Sequence, residues 1–170
     1  MKSIIIYYSH SGNTAKVAEI LAEHIRQNGS GELIKLESIN EPKAFFTQAV
    51  QAFKRAKTKI KPIKIDLSEY ALICLGTPVW AFAPAPAMNK YLEECKGMQG
   101  KDIILFVTYG SGLGVRRCLN IMEKEVRNKG AKKIFRFSIQ ESKVDKQSLA
   151  SEVIKDALKN ESNLYQHVYG

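Results

Sequence analysis

Apolar residues along this chain alternate between two periods. Lys2 to Tyr8 carries the run Ile-Ile-Ile-Tyr-Tyr, β-branched and aromatic throughout, which predicts a buried strand. The small residues Ser9 to Thr14 follow as a turn. The period then becomes helical: Val17, Ile20, Leu21, His24 and Ile25 share one stripe, Lys16, Glu19, Glu23 and Arg26 lie outside it, and Gly29 is the stop. Glu32 to Glu37 predicts a weaker strand. Lys43 to Ala56 predicts an amphipathic helix on Phe45, Phe46, Ala49, Val50 and Phe53. Further strands are expected at Tyr70 to Leu75, Asp102 to Thr108 and Lys132 to Ser138. They are interleaved with helices at Pro84 to Cys95, Gly114 to Lys129 and Gln147 to Lys159. The tail from Asn160 to Gly170 is expected to be poorly ordered.

Strands apolar on both faces that alternate with helices need cover on each side of the sheet. The expectation is therefore an α/β fold, a doubly wound five-stranded parallel sheet with helices on both faces. At 170 residues and with no linker or repeat, the chain reads as a single domain over 1–170. Hydrophobic residues at 45% and charged residues at 25% argue against disorder, collagen and disulfide scaffolds. Tyr70 to Met88 lacks charge, but Gly76, Pro78, Pro84 and Pro86 interrupt it, which argues against a spanning helix. MKSIIIYY is too short an apolar run for a signal peptide.

Cys74, Cys95 and Cys118 are too far apart for a metal or cluster motif and fit a reducing, cytoplasmic setting. A net charge of +9 implies attraction to anions. No helix-turn-helix signature or interleaved aromatic-basic motif supports nucleic acid as the partner.

In a doubly wound sheet, ligands bind beyond the carboxyl ends of the strands, where the strand order reverses. Three loops there have unusual composition. Ser9-His10-Ser11-Gly12-Asn13-Thr14 precedes a helix N-terminus, where amides from His10 to Thr14 and the hydroxyls of Ser9, Ser11 and Thr14 could hold a phosphate. The same residues would also serve as a plain helix cap. No lysine follows the glycine as in a nucleotide-triphosphate loop. Gly76-Thr77-Pro78-Val79-Trp80-Ala81-Phe82-Ala83 carries the only tryptophan, and Thr108-Tyr109-Gly110-Ser111-Gly112-Leu113-Gly114 sets a tyrosine among glycines. Two aromatics on neighbouring loops can sandwich a planar ring, each contact adding about 0.5–1.5 kcal/mol beyond area burial.

In these motifs the chain resembles the flavodoxin family, over nearly its whole length from Lys2 to about Lys159. The resemblance implies noncovalent FMN. Ser9, His10, Ser11, Gly12, Asn13 and Thr14 would surround the phosphate. Thr77, Pro78, Val79, Trp80, Ala81 and Phe82 would line one side of the isoalloxazine, and Thr108, Tyr109, Gly110, Gly112 and Leu113 the other. It further implies electron transfer with a redox partner protein or a small donor or acceptor. The alternative is an FMN-dependent NAD(P)H oxidoreductase acting on quinones or similar small acceptors.

The chain departs from the family in three ways. Familiar flavodoxins are acidic and this chain is basic, so its protein partners would carry acidic faces, with Lys54 to Lys64 as one docking candidate or simply a solvated loop. Neither ring-lining loop holds an acid and Arg116 and Arg117 follow, which predicts a less negative second reduction potential. Trp80-Ala81-Phe82-Ala83 lacks the glycine that usually lets a peptide turn toward the flavin. A positive φ there would cost about 1 kcal/mol or more, and the one-electron radical is expected to be less stable. His10 reads as a solvent-facing loop residue far from the ring, His24 as a satisfied core residue and Cys74 as inert.

Overall fold

A computed structural model of the chain describes residues 2–27, 29–39 and 59–159. Its elements are β1 (Lys2–Tyr7), α1 (Asn13–Arg26), β2 (Ser30–Lys35), β3 (Leu72–Trp80), β4 (Ala83–Pro84), α2 (Pro86–Glu94), β5 (Asp102–Tyr109), α3 (Val115–Asn128), β6 (Lys133–Gln140), α4 (Glu141–Val144) and α5 (Gln147–Lys159). The expected helix over Lys43 to Ala56 and the tail from Asn160 lie outside the described residues.

Strands run in the order β2-β1-β3-β5-β6, and the two-residue β4 pairs back on β3. All the ladders along this path are parallel, while β4 meets β3 antiparallel. The chain steps outward from β1 to β2 and then crosses back to β3, so the order reverses between β1 and β3. That reversal opens a crevice at the carboxyl ends of these strands.

Alternation along each strand divides the core. Ile4, Ile6, Ile73, Leu75, Ile103 and Leu105 face α2 and α3, meeting Met88, Tyr91, Cys118 and Met122. On the other face Ile5, Cys74, Ile104 and Phe106 meet Val17, Leu21 and Ile25 of α1 and Ala150 and Ile154 of α5. The Phe106 and Phe137 rings stack with centroids 5.5 Å apart. Each such aliphatic side chain contributes about 1.5–3 kcal/mol when fully buried, which is why near-continuous apolar runs specify the sheet.

Several boundaries differ from expectation: β2 lies two residues earlier, β6 runs on to Gln140, and two more changes bear on the site. β3 runs on to Trp80, five residues past the apolar run, because Thr77 and Pro78 still pair with β5 and Val79 and Trp80 pair with β4. Pro84 therefore ends a strand, and Pro86 takes the first turn of α2. The one-turn α4 carries too few residues for a periodic signal. His24 is satisfied on both ring nitrogens: Nδ1–H donates to the Ile20 carbonyl at 2.8 Å, and Nε2 accepts from the Ser151 hydroxyl at 3.1 Å.

Candidate functional site

The first loop connects β1 to α1 across the open crevice. Tyr8 N–H donates to the Gly76 carbonyl at 3.0 Å, which fixes the loop entrance against β3. Gly12 is the N-cap of α1 at φ 94°, a left-handed conformation that glycine adopts without steric cost. It offers no side-chain cap, and the first turn holds no acid. The Ser9 hydroxyl accepts from Ala15 N–H at 3.2 Å. No side chain among the described residues accepts from the amides of Asn13 or Thr14. A Cβ added at Gly12 would meet nothing within 4 Å, so the space over the loop is open. Amides without a side-chain partner, the exposed Ser11 hydroxyl and the absence of carboxylate make this terminus fit an anion.

Thr14 is buried. Its hydroxyl is 2.8 Å from the Thr108 hydroxyl, a buried pair that ties the phosphate-loop candidate to the end of β5.

The second segment, expected as a loop, is the end of β3 and a tight hairpin onto β4. Ala81 (φ 46°) and Phe82 (φ 68°) are its two central residues, and positive φ at both is what a type I′ hairpin turn requires. Lack of glycine thus does not exclude positive φ here. Closure of β3 onto β4 forces it, at about 1–2 kcal/mol per residue. Thr77 is buried and anchors the hairpin: its hydroxyl accepts from Ala85 N–H at 3.0 Å and donates to the Pro78 carbonyl at 3.1 Å. With both roles used internally, Thr77 supports the aromatic segment from beneath.

Trp80 is half-buried and meets two rings edge-on, Tyr8 at 5.6 Å and His10 at 5.7 Å between centroids. His10 is exposed, as its sequence context suggests, yet it touches the second segment as well as belonging to the first. Tyr8 was not among the sequence candidates. It continues the inward Ile4, Ile6 alternation by one step, and that pattern could have found it.

The third loop leaves β5 at Tyr109. Gln140 Nε2 donates to the Gly110 carbonyl at 3.2 Å, Gly112 passes beside the Tyr109 ring, and Leu113 is 71% exposed. Gly114 caps α3 at φ 83°. Behind the loop, toward β6, a groove of about 590 Å³ is lined by Tyr109, Leu113, Arg116, Arg117, Asn120 and Ser138 among others.

The three segments therefore converge at one switch point, linked by Thr14 with Thr108, by Tyr8 and His10 with Trp80, and by Phe82 with Gly114. A flavodoxin family model matches residues 2–160. The chain belongs to the flavodoxin family. Among curated proteins nothing matches its sequence.

Solved structures share the fold of this flavodoxin-family chain at low identity. A Lactobacillus acidophilus flavoprotein in complex with FMN is 24% identical, with a TM-score of 0.62 over 86% of this chain and 98% of its own. Oxidised flavodoxin 1 from Bacillus cereus is 19% identical at a TM-score of 0.62, covering 91% and 98%. An apo NADH:FMN oxidoreductase is 15% identical at 0.63, covering 92% and 88%.

The thiols of this flavodoxin relative stand apart from the site. All three cysteines are free and buried. Desolvation raises Cys95 to about 11 and Cys118 to about 12, and pushes Cys74 up further. Among the described residues no cluster of His, Cys, Asp and Glu could hold a metal, and no helix is long and apolar enough to cross a membrane. Of the basic run, Lys61 pairs with Glu37 and Lys64 with Glu32 and Glu69, while 54–58 lie outside the described residues.

Proposed function

We propose that this flavodoxin-family protein binds FMN noncovalently and acts as an electron-transfer protein of a reducing, cytoplasmic compartment. The observation that carries this reading is the convergence of an acid-free helix N-terminus, whose N-cap Gly12 offers no side chain, with two aromatic-bearing segments at the β1/β3 reversal. The donor set suits both ends of such a ligand. Amides of Asn13 and Thr14, with Ser9, His10, Ser11 and Gly12 around them, suit the phosphate. Pro78, Val79, Trp80, Ala81 and Phe82 on one side, and Tyr109, Gly110, Gly112 and Leu113 on the other, suit a flat ring. Thr77 and the Thr14–Thr108 pair hold these walls in register.

When bound, the flavin supplies the redox chemistry, and the chain binds it, orients it and sets its potential. No acid lies in either ring-lining segment, so a less negative potential for the second electron is expected, to be checked by potentiometric titration. The decisive experiment is titration of FMN with the purified protein. Quenching of flavin fluorescence to a stoichiometric end point supports the proposal, and unchanged fluorescence with excess protein overturns it.

A second reading, an FMN-dependent NAD(P)H oxidoreductase acting on quinones or similar acceptors, is favoured by the arginine-lined groove behind the third loop. Sustained NADPH oxidation with a quinone and no partner protein would select it over the carrier.

A further inference from the structure

The groove between the start of α3 and β6 is basic and concave, and it shares residues with the proposed cofactor wall. Tyr109, Gly112 and Leu113 belong to both, whereas none of Ser9 to Thr14 lines it and neither does Trp80 or Phe82. Its charged lining is Arg116 and Arg117, both exposed. Neither has a carboxylate partner among the described residues, in contrast to Arg127 farther along the same helix. The nearest acid on the same helix is otherwise engaged. Glu123 takes Arg127 at 2.6 Å and Arg136 at 2.8 Å, and Arg136 Nη1 also donates to Asn120 Oδ1 at 2.8 Å. Asn120 is thereby held by its oxygen, which leaves its NH₂ as the donor end. The Ser138 hydroxyl completes a lining that offers hydrogen-bond donors and positive charge with no acid.

Two guanidinium groups, an amide and a hydroxyl around a cleft form a donor set matched to an oxyanion, since guanidinium binds carboxylate and phosphate bidentately. Shape separates a small ligand from a protein partner. The groove is open to solvent, and its volume of about 590 Å³ lies within the range of about 300–1,000 Å³ typical of small-molecule clefts. We infer that this groove is a second oxyanion subsite, separate from the first loop, which seats the phosphate or carboxylate of the small molecule exchanging electrons with the cofactor. The inference rests on the flavin reading for its purpose but not for its detection.

Inorganic pyrophosphate is the probe, titrated into ¹⁵N-labelled, FMN-loaded protein so that the first loop is already filled. Saturable shifts at Gly112 to Arg117, Asn120 and Ser138 are expected. In R116Q/R117Q, pyrophosphate affinity falls at least tenfold while FMN affinity stays within about threefold of the parent. Shifts confined to residues 9–14, or affinity unchanged in the double variant, overturn the inference. Should the protein take up no FMN, the same titration on the protein as purified still decides the groove, so the two failures are distinct. NADPH as donor and anthraquinone-2-carboxylate as acceptor then separate the sources of the oxyanion. A KM raised tenfold in R116Q/R117Q, for one and not the other, marks the class that the groove takes. Equal KM values for both in parent and variant overturn the role in electron exchange.

Discussion

Phe82 and Gly114 meet so closely that a Cβ placed on Gly114 would lie 2.5 Å from Phe82 Cδ1 and 2.6 Å from its Cα. The hairpin on one wall of the site thus rests on the helix cap of the other. Because backbone as well as ring blocks the added carbon, G114A cannot be absorbed by a rotamer change. It also places alanine at φ 83°. A loss of about 2–4 kcal/mol is expected, read by urea unfolding, together with weaker FMN binding. G12A is the control: it has the same positive φ with open space around it, and the expected loss is about 1 kcal/mol. Equal losses at the two glycines would mean that packing of Phe82 on Gly114 contributes nothing.

The Ala81-Phe82 turn stores strain that a better turn residue removes. Asparagine tolerates the left-handed region and favours type I′ turns. Replacing Ala81 with asparagine leaves the Phe82–Gly114 contact in place, so A81N should stabilise the protein by about 0.5–1 kcal/mol, raising Tm by about 1–4 °C. Thermal unfolding followed by circular dichroism measures this, and a lowered Tm would show that the hairpin carries no relievable strain.

Thr14 and Thr108 share one buried hydrogen bond across the sheet end. Valine at either position leaves the other hydroxyl buried and unpaired, at about 1–3 kcal/mol. Valine at both removes the need for the bond. The double variant should therefore lose less than the sum of the singles, with a coupling of about 1 kcal/mol in a double-mutant cycle. Strict additivity would place the two hydroxyls out of contact.

Burial of the thiols makes them poor nucleophiles in the native state. Since only the thiolate reacts, and desolvation raises all three groups, an aromatic disulfide reagent at pH 8 should label none of them until guanidinium is added. The sign in alkali follows. The folded values lie above the unfolded thiol value of about 8.5, so the stability they contribute is complete below that pH and falls as pH rises through about 11 to 12. Rapid native labelling would contradict the burial of Cys118 and Cys95.

Most of this architecture was legible because strand and helix periods are carried by burial on both sheet faces. Ile4 to Ile6 and Ile103 to Val107 could be nothing but interior strands. What was not legible depended on contacts distant in sequence. The extension of β3 to Trp80 comes from pairing with β5 and β4, which no local apolar count contains. The positive φ at Ala81 and Phe82 arises from hairpin closure against propensity. The approach of His10 to Trp80 needs the fold to bring residues seventy apart to one crevice. The groove at Arg117, Asn120 and Ser138 joins a helix face to a strand face, and neither carries a motif.

At the opposite end of the sheet, Glu69 is bound by the ammonium groups of Lys2 and Lys64, the latter at 2.7 Å. The same two lysines lie 5.0 and 5.1 Å from the Tyr70 ring centroid. Hydrogen bonds from Lys2 and then Lys64 hold the Glu69 carboxyl down at about 2. The unfolded value is near about 4.3, so the folded state gains from the ionised form. That gain is fully present above the unfolded value and is lost as pH falls through about 2. Exposure of all three side chains keeps the contribution modest and open to screening by salt. E69Q should therefore lower the urea midpoint by a constant amount from pH 7 to pH 5, by less as the pH falls further, and by only a small remainder at pH 2. One molar salt should shrink the difference at neutral pH. A midpoint difference that persists unchanged at pH 2 would show that Glu69 acts through packing or hydrogen-bond geometry and not through its charge.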